Sequence, residues 1–182
     1  MIGKAAPPWH VAAMEQPALK RSFAPNAVHM IRTVQMIHIQ LSAMADQKAS
    51  ILMGASFVIF TITINQSRGS LPPLPLLVLG AFAFVSAILT VLAIVPKTKV
   101  PEGMPVNLLF FGSFTQLQQD DFIDRVVDSM ADEETMLRTI AADVYGNGQV
   151  LQRKKYRYLE YAYRTFLAGL VAAAAVFVAQ AL

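Results

Sequence analysis

The sequence predicts an all-α integral membrane protein with three transmembrane helices and a helical insert between the second and the third. Three observations carry this reading. Apolar segments near 49–66, 74–95 and 165–182 contain no charged residue, and about 20 such residues cross a hydrocarbon core. Charged residues make up only 15% of the chain and hydrophobic ones 55%, against roughly 25% charged in ordinary soluble domains. The basic residues behind the pI of about 9.3 flank the apolar segments, which points to membrane topology before nucleic acid.

Residues 1–25 hold Lys4, Pro7, Pro8, Pro17, Lys20, Arg21 and Pro25 without a continuous apolar run. They read as a disordered tail with no secretory signal, leaving 26–182 as a single membrane domain. Asn26 after Pro25 is a good N-cap for a first helix. Met30, Val34, Ile37, Leu41 and Met44 then recur at alternating spacings of four and three. This heptad-like stripe predicts a helix packed on another helix. The phase continues through Lys48, Ile51, Ala55 and Val58, so one long helix is expected to run into the first span, 49–66.

Asn65 to Ser70 and Pro72-Pro73 form a turn, and 74–95 is the clearest span. Pro96 ends it and Lys97 and Lys99 follow, so the first two spans are a hairpin. The insert covers 96–164. Its segment 108–114 is apolar but too short to cross and reads as a core segment or an interfacial plug. A short helix is expected from about Gln118, with Asp120 and Asp121 in its first turn and Phe122, Val126 and Met130 on one face. Asp132 reads as the N-cap of a long last helix. There Leu137, Val144, Leu151 and Tyr158 share one heptad position, and Ile140, Asn147 and Lys154 the other. The phase survives Gly146-Asn147-Gly148, so the glycines weaken this helix without ending it. Gly169 and the alanines of 165–182 make the third span slim, which suits close packing.

Charge placement sets the expected orientation. Lys4, Lys20, Arg21, Arg32 and Lys48 precede the first span, and only Arg68 lies in the hairpin loop. Arg153, Lys154, Lys155, Arg157 and Arg164 precede the third. The positive-inside rule then places the N-terminus and the insert in the cytoplasm and the C-terminus outside.

Catalytic patterns are missing. His10, His29 and His38 are scattered, and no Walker A, GxGxxG or GxSxG motif occurs. The chain reads as no enzyme, with no catalytic residue, metal or cofactor. Cysteine is absent, which excludes disulfides and cysteine-ligated zinc. Asp121, Asp124 and Asp128 share a helix face and read as a solvated acidic face rather than a magnesium site. Asp46 and Lys48, two apart, point to different sides of their helix. Lys48 could face the bundle and meet a phosphate or an acidic partner, but an interfacial lysine snorkelling to headgroups is the preferred reading. The cluster Arg153 to Tyr158, with Tyr161, Tyr163 and Arg164, mixes cations and rings. It could hold a nucleotide; by residue type alone a positive-inside anchor with an aromatic belt is preferred. Phe110-Phe111-Gly112 is likewise read as core.

Three segments in order then carry a resemblance. They are Ala45-Asp46-Gln47-Lys48-Ala49-Ser50-Ile51-Leu52, Asn107-Leu108-Leu109-Phe110-Phe111-Gly112, and Lys155-Tyr156-Arg157-Tyr158-Leu159 with Ala162-Tyr163. Together they resemble the transmembrane effectors of Pycsar, a bacterial antiphage system, over roughly Val28 to Val178. Gly146-Asn147-Gly148 departs from the less glycine-rich helix of that pattern.

The resemblance implies a multi-pass protein of the bacterial inner membrane. It implies activation by cyclic CMP or cyclic UMP from a partner cyclase, impairment of the membrane and abortive infection, with no nucleic-acid partner. Within that frame Lys48, Lys155, Arg157 and Arg164 are expected to line the messenger site or couple it to the spans, with Asp46, Asn107, Phe111, Tyr156 and Tyr163 as supporting motif residues. Oligomerisation is expected, because three thin helices cannot enclose a pore. The alternative is a membrane-anchored scaffold or small oligomeric channel subunit without nucleotide control.

Overall fold

The computed structural model describes residues 21–67, 69, 71–96 and 105–182. Most of the expected tail, with Lys4, His10 and Lys20, lies outside the described residues, as do Arg68, Lys97 and Lys99. The described residues form helices and no strands. Helix α1 runs Ala27–Gln66, uninterrupted by proline over 40 residues. At 1.5 Å per residue it is about 60 Å long, twice the roughly 30 Å hydrocarbon core, so about half of it must stand outside a bilayer. Gly69 takes φ 97° in the turn that follows, a conformation that costs glycine nothing. Helix α2, Leu74–Ile94, starts with Pro75 in its first turn, where the missing N–H is not needed. It stops at Val95, whose extended ψ of 119° is what the following Pro96 favours.

Three helices are long and apolar enough to cross a membrane: α1, α2 and the continuous helical stretch Glu133–Ala181. That stretch comprises α5 (Glu133–Val150), a π-helical turn (Leu151–Tyr156) and α6 (Arg157–Ala181). Asp132 caps it as expected, accepting the Thr135 N–H at 2.9 Å. Asn26 precedes α1 as expected but makes no side-chain capping bond. Between the spans, α3 (Phe111–Phe114) and α4 (Gln119–Met130) build the insert. The segment expected as core or as a plug forms this single turn, with Gly112 and Ser113 buried and Phe114 against Phe122 of α4 at 4.7 Å between ring centres. Met130, expected beside Phe122 and Val126, is instead 66% exposed.

Helix α2 lies between α1 and α6, which also meet each other where Ala45 and Ala49 pack on Leu159. Its buried face is Gly80, Ala83, Ser86, Thr90 and Ala93. Opposite it stand Leu159, Ala162, Gly169 and Ala173 of α6 and Ala45, Ala49, Leu52 and Ser56 of α1. A Cβ at Gly169 would lie 2.4 Å from the Phe82 Cβ, and one at Gly80 would lie 2.6 Å from the Thr63 hydroxyl. Backbones this close need small residues at the crossing. The Ser86 hydroxyl donates to the Ala162 carbonyl at 2.9 Å and joins α2 to α6.

Two expected phases are corrected. In α1 the stripe's Met30, Ile37, Met44, Ile51 and Val58 point outward, each at least 41% exposed, while its Val34 and Leu41 are half-buried. The inward face is the smaller and more polar one through Gln35, His38, Ser42, Ala45 and Ala49. Within the span, lipid accepts Ile51 and Val58 as readily as a helix does, so size decides which face packs on α2 there; Met30, Ile37 and Met44 lie before the span. In the last helix the buried residue after Leu151 is Leu159, not Tyr158. The π turn adds one residue to the heptad and rotates everything beyond it.

Candidate functional site

Because α1 crosses and α2 returns, the first half of α1, the insert and α5 lie on one side of the membrane. There the three sequence motifs meet. The π turn sends three consecutive side chains to three places. The Lys154 ammonium donates to the Val95 carbonyl at the end of α2. The Lys155 ammonium donates to both Asp46 carboxylate oxygens at 2.8 Å and to the Ser42 hydroxyl at 2.7 Å. The Tyr156 hydroxyl donates to the Leu41 carbonyl at 3.1 Å. Two turns farther, the Tyr163 hydroxyl donates to the Lys48 carbonyl at 3.2 Å. The basic and aromatic segment is thus a clasp on the middle of α1 and the end of α2.

Behind the clasp lies a cavity of about 570 Å³ between α1 and the α5–π stretch. Its wall carries Gln35, His38, Ser42 and Asp46 from one side and Asp143, Asn147 and Lys155 from the other. Asp143 is 6% exposed. Its carboxylate accepts from the Asn107 amide at 3.0 Å and the Asn147 amide at 2.9 Å, and from Gln35 at 3.5 Å. Asn107 is itself held by the insert: its N–H donates to Ser113 Oγ at 2.8 Å, and its side-chain oxygen accepts from the Leu109 N–H at 2.9 Å. Buried carboxylates need such donors; here three neutral amides supply them. His38 Nδ1 is buried without a partner. Its ring packs where Gly148 has no side chain, since a Cβ there would lie 3.3 Å from His38 Cε1.

The structure divides the residues that the sequence grouped. Lys155 and Asp46 are on the cavity wall. Lys48 is exposed and borders a separate groove with Tyr156, Leu159, Glu160 and Tyr163. Of the pair in the first motif, it is Asp46 and not Lys48 that reaches the last helix. Arg157 lies over the Tyr161 ring at 5.7 Å. The hydrogen bond it donates to the Tyr161 hydroxyl raises its pKa above the ordinary guanidinium value, so it stays charged. Arg164 is 72% exposed and pairs with Glu160 one turn earlier. Asn107 reaches the site through Asp143, whereas Phe111 is 57% exposed and outside it. No sequence motif points to Asp143, Ser42 or Gln35, and His38 reads there only as one of three scattered histidines. Asp143 and Asn147, four apart beside the Val144 stripe, carried the one local signal; the partners across the fold carried none.

The Pycsar effector protein domain matches residues 29–180. No curated protein and no solved structure matches the chain.

Proposed function

Because this chain belongs to the Pycsar effector family, and so has a role in Pycsar antiphage defence, we propose that it is switched by cyclic CMP or cyclic UMP. In its switched state it impairs the inner membrane and stops the infected cell. The observation that supports this reading is the cavity between α1 and the α5–π stretch. Both walls continue directly into membrane-crossing helices, so a ligand there acts on the spans without an intermediary. At about 570 Å³ it lies within the roughly 300–1,000 Å³ of small-molecule sites. The protein acts as a non-enzymatic effector. Its N-terminus and insert face the cytoplasm, where the cyclase releases the messenger.

Switching is a population shift. The messenger must bind the damaging state more tightly than the resting one, because equal affinity for both moves nothing. The damaging state is an oligomer, held through the outward apolar face of α1 outside the bilayer, where Met30 is 67% and Ile37 47% exposed. The test is entry of an impermeant dye into cells that express the protein with or without a cyclase making one messenger. Dye should enter only with the cyclase, and cross-linking before lysis should then yield species above monomer. Dye entry regardless of the cyclase would instead establish a channel subunit without nucleotide control; monomer alone would remove the oligomer.

A further inference from the structure

We propose that the Asp46–Lys155 ion pair is a latch, opened when a phosphodiester anion in the cavity takes Lys155 from Asp46. This rests on the cyclic-nucleotide reading above and names where and how the messenger acts. A lysine ammonium has three N–H donors. At Lys155 all three have acceptors: two Asp46 oxygens and the Ser42 hydroxyl. An incoming phosphate therefore replaces a partner; it cannot simply add one. Asp46 is the partner that must leave. A phosphate beside its carboxylate would be repelled, whereas the Ser42 hydroxyl is neutral and can turn its proton toward a phosphate oxygen.

The charges of the wall point the same way. Asp46 and Asp143 are two carboxylates against one ammonium, Lys155, so the resting cavity resists an anion. Asp143 cannot yield, because it is buried among its amides. Asp46 can, because its side chain is 45% exposed while that of Lys155 is 20% exposed. Once Asp46 swings to water, its charge is solvated and the cavity accepts the phosphate. The clasp loses its ion pair between α1 and the π turn, three residues before the first span. The neutral contacts of Tyr156 and Tyr163 remain, so the spans are loosened and not unfolded.

The chemistry recognised is a phosphodiester monoanion. A cyclic nucleotide carries one, and so does an anionic lipid headgroup near the membrane face. The test measures binding of cyclic CMP and cyclic UMP to the full chain in nanodiscs, either of phosphatidylcholine alone or with phosphatidylglycerol. Asp46→Asn removes the competing charge and should tighten messenger binding about ten-fold. It should also lower the cyclase level needed for dye entry. Lys155→Met should weaken binding ten-fold or more, and Lys155→Arg should retain it.

A gain of affinity in Asp46→Asn cannot come from misfolding, which keeps the proposal exposed even if Lys155→Met folds poorly. Weaker or unchanged binding in Asp46→Asn would overturn the latch and leave the pair as a structural contact. Binding to wild type together with unchanged binding in Lys155→Met would overturn it while the effector reading stands. No binding of either nucleotide to wild type would overturn both. A response that follows phosphatidylglycerol content and not nucleotide would assign Lys155 to the lipid and overturn the messenger latch.

Discussion

At the scale of single residues, Asp143 holds the insert to the membrane helices. It ties α5 to the loop through Asn107 and to its own next turn through Asn147. A hydrogen bond to a charged group contributes about 1.5–3 kcal/mol, and removing the acceptor also leaves buried donors unpaired. Asp143→Ala is therefore expected to cost about 3 kcal/mol or more. Asn107→Ala, which breaks one of these bonds, should cost less. Retention of the monodisperse peak after heating in detergent measures both, and a profile like wild type in Asp143→Ala would remove its structural role. The Lys155–Asp46 pair differs in kind. Its Asp46 carboxylate is 45% exposed, so water can solvate it as it leaves, and opening the pair costs less than uncovering Asp143. The sequence shows Asp143 and Asn147 on one face, because i and i+4 meet on any helix. It cannot show Asn107, which arrives from 36 residues away.

At the scale of elements, the last helix sets the geometry. Its cap, length and continuity through Gly146 and Gly148 are legible because they depend on local spacing. The π turn is not, and it decides that Leu159 is buried and that Lys155 meets Asp46. The two glycines also separate. Nothing lies within 4 Å of a Cβ at position 146, whereas one at 148 presses on His38. Gly146→Ala should stabilise the helix by up to about 1 kcal/mol and leave the response unchanged. Gly148→Ala should push His38 into the cavity and shift the dependence of dye entry on cyclase level. Equal shifts in both variants at matched protein levels would point to helix stiffness, and no shift in Gly148→Ala would free the His38 contact of any role.

At the scale of the whole molecule, α1 and the α5–π stretch wall the cavity from opposite sides, and α2 packs on α1 and α6, the helices that continue from those walls. A reporter fused after Leu182 should behave as periplasmic, and one inserted between Ala131 and Asp132 as cytoplasmic. The reverse pattern would invert the orientation and place the cavity away from the messenger. Three spans, their order and the insert between them were determined by the sequence itself, because a bilayer selects long uncharged runs and the basic flanks around them. Which face of α1 turns inward was decided only by the tertiary structure. Within the span lipid and protein both accept Ile51 or Val58, so hydropathy does not distinguish the faces there, and close contact with α2 favours the small ones. The tertiary structure likewise decided that Asp46, Asp143 and Lys155 share one cavity while Lys48, Arg157 and Arg164 stay outside it. Chain sign and spacing are local properties; the meeting of charges from distant segments depends on the rotation that one extra residue in the π turn imposes.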